Sequence, residues 1–172
     1  AATKSERNAE ANYTKVIEEF PDLALAVKAR FELAELKADR GEHTEVVKLL
    51  KAALEVETTD RPVPRDTFEQ LRMRLGASLF VLKDYSGAAS QFENVASNAK
   101  STYYIACVYR AGESYLAAGD FQKAVAKLSE FRDKNEFHNG AGLGDRAMLR
   151  LGQSLVALKQ DDAGKHAFET LL

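Results

Sequence analysis

Several things that this 172-residue chain lacks narrow what it can be. It has a single cysteine, Cys107, so no disulfide can form within it. It has no tryptophan and only three prolines, and a low proline content leaves long helices possible. No apolar run approaches the roughly 18 residues that a transmembrane helix needs. We therefore expect no insertion into a membrane, while the redox compartment stays open because a signal peptide could have been removed.

Charge of one sign is not concentrated anywhere in the sequence. The chain has 24 basic and 26 acidic residues, which gives a formal net charge of −2, and neither sign forms a long block. A nucleic-acid-binding stripe or a polybasic membrane patch is therefore not expected. Ala, Leu, Glu and Lys are abundant instead, and these strong helix formers predict an all-α fold.

Four segments of the chain align with one another. They are FELAELKADRGEHTEVV from Phe31, MRLGASLFVLKDYSGAA from Met73, YRAGESYLAAGDFQKAV from Tyr109 and LRLGQSLVALKQDDAGK from Leu149. The starts lie 42, 36 and 40 residues apart, a spacing typical of repeat arrays. The alignment predicts one helix–turn–helix unit used four times, and its columns are numbered here from 1 at the first residue of each segment.

Small residues recur at two columns of this alignment. Column 4 is always small, column 16 is mostly small, and column 20, one helical turn further on, is leucine or phenylalanine. This pattern predicts that the two helices of each unit pack closely through these columns. The residues are Ala34, Gly76, Gly112 and Gly152 in column 4, Val46, Ala88, Ala124 and Gly164 in column 16, and Leu50, Phe92, Leu128 and Phe168 in column 20.

Residues that end and begin helices stand between the two helices of each unit. Gly41 and Gly119 can adopt the left-handed conformation that ends a helix. An aspartate that follows, as in Lys83-Asp84, Gly119-Asp120 and Lys159-Gln160-Asp161, can cap the next helix. Asp66 is a further candidate cap, because it follows the proline-containing stretch TTDRPVPR.

The pattern resembles the tetratricopeptide repeat, a helix–turn–helix unit of about 34 residues with the signature W-x2-L-G-x2-Y…A-x3-F…P. The third segment matches it best, through Gly112, Tyr115, Gly119 and Ala124. The opening aromatic of the signature is missing from all four segments, and Lys37 stands where a tyrosine is usual. The resemblance implies an all-α, right-handed superhelix of antiparallel helix pairs.

We expect a single solenoid over residues 1–172, with about nine helices. Neither end of the chain has the polar helix that caps a solenoid, so we expect a fragment of a longer array or an array whose ends are covered by partners. Helix pairs should start near Leu23, Asp66, Thr102 and Leu143. The expected units are residues 1–21 as the second helix of a preceding repeat, 22–60 as repeat 1, 61–100 as repeat 2, 101–138 as repeat 3 and 139–172 as an incomplete repeat 4.

Side chains capable of catalysis or metal binding form no recognisable set in the sequence. His43, His138 and His166 lie in different repeats without metal-ligand spacing. The stretch GAGLG at residues 140–144 lacks the Gly-Lys-Ser/Thr ending and the preceding strand of a phosphate-binding loop. Cys107 lies in an apolar helical pattern and is expected to be buried. We therefore expect no catalytic residues, no metal and no cofactor, and hence no enzyme.

The resemblance implies that the first helix of each pair lines a concave groove, with columns 1 and 5 facing it. Column 1 is apolar throughout, and column 5 carries carboxylates in two units. Such a stripe suits an extended or helical peptide with hydrophobic anchors and some positive charge; alternatively, it only packs repeat against repeat. One turn beyond column 5, column 8 contains Ala38, Phe80, Leu116 and Val156. The candidate groove residues are Phe31, Glu35, Met73, Phe80, Tyr109, Glu113, Leu116, Leu149 and Gln153.

Two functions of different classes follow. The leading one is a non-catalytic adaptor that binds a peptide or helix of a protein partner in the groove. The alternative is an architectural homo-oligomer that self-associates through its array ends or convex face. The phrases Y-x3-I-x2-FP from Tyr13 and A-x-F-x-LAE from Ala29 resemble the long-repeat proteins of the bacterial cell envelope, including outer-membrane assembly lipoproteins and Tol-Pal accessory proteins. That likeness implies an extracytoplasmic location, although the cytoplasm stays open.

Overall fold

The computed structural model describes residues 3–134, 137 and 142–170. Within these residues the regular secondary structure is helical and there is no strand, which confirms the predicted all-α fold. The described helices are α1 (Lys4–Glu19), α2 (Ala24–Asp39), α3 (His43–Glu55), α4 (Arg65–Val81), α5 (Tyr85–Ala96), α6 (Tyr104–Ala118), α7 (Phe121–Leu128), α8 (Glu130–Asp133), α9 (Gly144–Ala157) and α10 (Asp161–Glu169).

The chain divides into two compact units, Ala1–Lys83 and Asp84–Leu172. In the first unit α1 packs on α2, α2 on α3 and α3 on α4. In the second unit α5 packs on α6, α6 on α7, and α9 on both α7 and α10. Each unit therefore buries its apolar side chains between helices that follow one another closely in sequence.

The first helices of the four predicted pairs begin within two residues of their expected starts. They begin at Ala24, Arg65, Tyr104 and Gly144. One helix more than expected is described, because the second helix of repeat 3 is interrupted at Ser129 and continues as the short α8. No helix among the described residues is both long and apolar enough to cross a bilayer.

Two of the four expected aspartate caps are confirmed. The side chain of Asp84 accepts a hydrogen bond from the Gly87 amide at 2.9 Å, and that of Asp120 accepts one from the Lys123 amide at 3.2 Å. Asp66 does not cap its helix, because α4 already begins at the preceding arginine, with a proline in the cap position. Asp161 likewise lies in the first turn of α10, after its cap residue.

Columns 4, 16 and 20 meet as predicted in the second unit. A methyl group added to Gly112 would lie 2.6 Å from Leu128 Cγ, and one added to Gly152 would lie 2.3 Å from the ring of Phe168. A methyl group on Gly164 would lie 3.3 Å from the carbonyl oxygen of Gly152. In repeats 3 and 4 the two helices thus approach one another without room for a side chain at column 4.

The residue in column 11 has a left-handed backbone conformation in all four repeats. Its φ angle is +74° at Gly41, +64° at Lys83, +80° at Gly119 and +60° at Lys159. No atom lies within 4 Å of a side chain built at either glycine, so the backbone conformation, and not space, favours glycine there. The two lysines hold a conformation that disfavours residues with a Cβ atom.

A lysine-to-glycine exchange at column 11 should therefore stabilise the protein. We expect Lys159→Gly and Lys83→Gly each to raise the free energy of unfolding by about 0.5–1 kcal/mol, because relief of left-handed strain outweighs the entropic cost of glycine. The measurement is urea denaturation followed by circular dichroism.

The matched control is Lys165→Gly, which makes the same exchange at an exposed position inside α10. There glycine should lower the free energy of unfolding by about 1 kcal/mol. Equal effects at Lys159 and Lys165 would contradict the assignment of strain to column 11.

A side chain at Gly112 should break the helix contact. Gly112→Leu should destabilise the protein by about 1–3 kcal/mol through overpacking. Gly112→Ala should destabilise it less but with the same sign, because Leu128 is fully buried and has little room to move away. Thermal melting checks both, with Ala117→Leu on the exposed side of α6 as the control. If Gly112→Leu melts with the wild type, the contact has no energetic importance.

Lys37 stands where the signature has tyrosine, and it bonds to the preceding helix through an ion pair. Its ammonium group lies 2.5 Å from Glu10 of α1 and 3.0 Å from Glu42. Hydrogen bonds from Lys37 and Arg40 lower the pKa of the Glu10 carboxyl. In the same column, the hydroxyl of Tyr115 donates to Glu93 of α5 at 2.6 Å. Column 7 thus ties the first helix of a repeat to the helix that precedes it.

Candidate functional site

The candidate groove residues of the first unit lie on α2 and α4. Phe31, Glu35, Met73 and Phe80 are all half-buried. Phe31 lines a cavity of about 480 Å³ formed by the start of α2, residues 61–64 and the first turns of α4. The same cavity is lined by Leu25, Lys28, Glu32, Pro62, Val63 and Thr67, among others.

The candidate residues of the second unit separate into buried and exposed groups. Tyr109 is only 1% exposed and Glu113 9% exposed, whereas Leu149 is 40% exposed. Gln153 is exposed and Leu116 is half-buried. The structure therefore places Tyr109 in the core of this unit, and the surface beside it is formed by α9.

Tyr109 is buried by residues that follow α7. Its ring meets Phe131 of α8 edge to face, with ring centroids 6.3 Å apart, and Phe131 meets Phe137 in the same way at 4.9 Å. The hydroxyl of Tyr109 donates to Glu113 Oε1 at 2.9 Å. Burial, reinforced by this carboxylate, raises the pKa of Tyr109. The phenol therefore stays neutral and acts as a hydrogen-bond donor.

The column-5 glutamates are held by arginines in column 2 of the alignment. Arg74 of α4 forms a two-pronged ion pair with Glu35 of α2. In the second unit, Arg150 of α9 lies 3.6 Å from Glu113 of α6. Column 2 of one repeat thus reaches column 5 of the repeat before it. Sequence reasoning missed these pairs, although arginine recurs in column 2 in three of the four segments.

Three arginines gather around Tyr109 and Glu113. Arg110 donates to Glu113 Oε2 at 2.9 Å, and Arg150 lies on the opposite carboxylate oxygen. The guanidinium carbon of Arg146 lies 5.6 Å from the Tyr109 ring centroid, and that of Arg110 lies 5.9 Å from it. The carboxylates of column 5 predicted an acidic surface beside the apolar column 1. In the second unit the arginines make this surface cationic.

Other candidate residues add no chemistry to this surface. Cys107 is fully buried, as predicted. His43 Nδ1 lies 3.3 Å from the Ser78 hydroxyl, and His166 is exposed beside Glu169. His138 and the first two residues of the GAGLG stretch lie outside the described residues. Among the residues that are described, no three His, Cys, Asp or Glu side chains are grouped as a metal site would require.

Two segments of the second unit, residues 106–135 and 146–172, match the family model of the tetratricopeptide repeat. The matches support the tetratricopeptide repeat family. Both segments fall inside the ranges expected for repeats 3 and 4. No curated protein matches the chain in sequence.

Two solved structures of MamA are similar to the chain. One aligns with a TM-score of 0.71 at 19% identity, covering 96% of this chain and 86% of that one. The other aligns with a TM-score of 0.73 at 19% identity, covering 98% of this chain and 81% of that one. At this identity the likeness concerns the fold alone.

The tetratricopeptide signature explains where its residues lie in repeat 3. Gly112 and Ala124 are its small residues and are both buried between α6 and α7, and Tyr115 is its tyrosine. Arg110 and Arg150 lie outside the signature, because column 2 is not part of its pattern. The shared positions thus build the repeat, and the positions between them give its surface a particular charge.

Tyr109 should behave as a core residue in mutation. Tyr109→Ala should lower the free energy of unfolding by about 3–5 kcal/mol, as loss of a buried aromatic does. Tyr109→Phe should cost only about 1 kcal/mol, because it removes one hydrogen bond to Glu113 and leaves the packing intact. Urea denaturation measures both. If Tyr109→Ala unfolds at the wild-type urea concentration, the ring is accessible and available as a ligand anchor.

Proposed function

We propose that the chain is a non-catalytic protein-interaction scaffold that binds a peptide or helix of a partner protein on the first helices of its repeats. The observation that carries this proposal is the outer face of α9. Leu149 and Val156 are 40% and 46% exposed on this helix, one above the other at i and i+7, and Val156 lies at the edge of the contact with Gly164 of α10. The tetratricopeptide repeats in residues 106–135 and 146–172 support the same class of function.

The first unit contributes a second surface of similar character. The cavity beside Phe31 has an apolar wall formed by Leu25, Pro62 and Val63, with Lys28 and Glu32 at its side. Leu25 is 48% exposed. Apolar pockets with a polar rim are the usual anchors in peptide recognition.

The test begins with peptides selected from a random displayed library against the 172-residue chain. Their affinities are then measured by fluorescence anisotropy for the wild type and for a Leu149→Asp/Val156→Asp variant. Loss of two apolar contacts should weaken a peptide bound at α9 by at least about tenfold. Phe31→Asp should do the same for a peptide bound in the first unit.

The control is Ala163→Asp, an exposed position on α10. Peptides that bind all variants equally would contradict the assignment of binding to the first helices. Light scattering over a concentration series tests the architectural alternative: a mass that rises with concentration in the absence of peptide, and that the Ala163→Asp and Leu149→Asp/Val156→Asp variants both retain, would favour self-association.

The extracytoplasmic location implied by the phrases from Tyr13 and Ala29 remains part of the proposal. Fractionation of cells that express the native protein would test it, and recovery in the cytoplasmic fraction would overturn it.

A further inference from the structure

The arginines of the second unit outnumber the acids that face them. Arg110 on α6 and Arg150 on α9 lie on one carboxylate, Glu113, and Arg146 on α9 lies over the ring of Tyr109, whose hydroxyl donates to the same carboxylate. Three cations and one anion leave a local excess of two positive charges, in a chain whose formal net charge is −2. The excess is therefore a property of this surface and not of the whole chain.

Glu113 is fully engaged inside its own unit. One of its oxygens accepts from the Tyr109 hydroxyl and faces Arg150, and the other accepts from Arg110. The carboxylate is almost completely buried, and a buried charge needs such partners to be tolerated. Glu113 thus positions the arginines and offers nothing to an incoming cation.

The arginines, in contrast, keep donors directed at solvent. The Arg110 side chain is 52% exposed and that of Arg150 is 36% exposed, and a guanidinium has five N–H donors. Arg150 donates one hydrogen bond to the Gln153 side chain at 3.0 Å. Arg146 is exposed and forms no salt bridge with any residue that the structure describes. Several charged donors are therefore free for a ligand.

Nearby acids do not compensate these charges. On α8, Glu130 pairs with Lys134 at 2.7 Å and Asp133 pairs with Arg132 at 2.7 Å. Asp145, next to Arg146 in sequence, lines a different cavity with Met148 and Phe131. The excess of positive charge around Tyr109 thus has no acidic partner on these neighbouring elements.

Charge and apolar surface occur together on α9. Arg146, Arg150 and Gln153 follow one another at helical spacing, and Leu149, Gln153 and Val156 form the adjacent row. A nucleic acid would pair with the arginines but would make no contact with the two exposed apolar side chains. A peptide with both carboxylates and aliphatic side chains would use all of them.

We infer that the face of α6 and α9 formed by Arg110, Arg146, Arg150, Leu149 and Val156 binds an acidic peptide segment. Carboxylates of that segment pair with the three guanidinium groups, and its aliphatic side chains lie on Leu149 and Val156. This inference rests on the proposed scaffold function and adds the charge of the partner. It reverses the positive charge that columns 1 and 5 alone suggested for the ligand.

The test uses three fluorescent peptides of about 12 residues, which share leucines at helical spacing. Their remaining positions are Asp and Glu, Lys, or Gln. We expect the acidic peptide to bind the 172-residue chain more tightly than the other two, with an affinity that falls as salt concentration rises. Fluorescence anisotropy gives the dissociation constants.

The decisive variant is Arg146→Glu, at an exposed position. It should weaken the acidic peptide about tenfold and strengthen the lysine peptide, because it exchanges an attractive pair for a repulsive one. The matched control is Lys165→Glu on α10, which makes the same change of charge at a side chain that is 78% exposed. It should leave both affinities within about twofold of the wild type.

Three results would overturn the inference. The first is that the lysine or glutamine peptide binds at least as tightly as the acidic one. The second is that Arg146→Glu leaves the affinity for the acidic peptide unchanged. The third is that a single-stranded oligonucleotide displaces the acidic peptide at a lower concentration than the unlabelled peptide does. If a lysine or glutamine peptide binds and Leu149→Asp/Val156→Asp abolishes its binding, the scaffold function survives and only the charge assignment fails. If none of the three peptides binds, the inference is wrong, and the library selection decides the scaffold function separately.

Discussion

The contact between the two helices of a repeat fixes where every other side chain in that repeat lies. In repeat 4 the backbone of α10 at Gly164 comes against the carbonyl oxygen of Gly152 on α9. In repeat 3 the same crossing is filled by Leu128 over Gly112. Because the glycines leave no free space at these contacts, neither helix can rotate about its axis without a clash. The face that each first helix turns away from its partner is thereby determined as well.

The short turn at column 11 follows from that contact. Two helices that touch at column 4 can be joined by a few residues only if the chain reverses at once, and a left-handed residue achieves this. Gly41 and Gly119 adopt that conformation readily, whereas Lys83 and Lys159 adopt it with backbone strain. Side-chain identity at column 11 thus adjusts stability, and the crossing decides the geometry.

Much of this architecture could be predicted from the sequence, because it depends on residue size and on spacing. The small residues of columns 4 and 16, the glycine stops and the starts of the first helices all follow from local rules. The burial of individual side chains was harder to predict. Column 1 identifies the side of α6 on which Tyr109 lies, but not that Phe131 covers it or that Phe137 packs on Phe131. Those two rings lie beyond column 20, the last column of the alignment from which a contact was predicted.

The charge of the candidate surface could not be predicted from columns 1 and 5, because ion pairs connect different columns. Glu35 and Glu113 look like ligand-binding carboxylates when their column is taken alone, yet arginines of the following repeat neutralise both. A carboxylate as deeply buried as Glu113 is tolerated only with such partners.

The two columns together account for the local excess of positive charge. In the second unit, column 2 contains two arginines, Arg110 and Arg150, whereas column 5 contains one glutamate, Glu113, since Gln153 occupies its other position. One column-2 arginine therefore exceeds the column-5 acids, and Arg146 adds a further cation next to it. Ion pairs between repeats neutralise the column-5 acids. The charge available to a partner is therefore the sum of the charges in columns 2 and 5, and it cannot be predicted from either column alone.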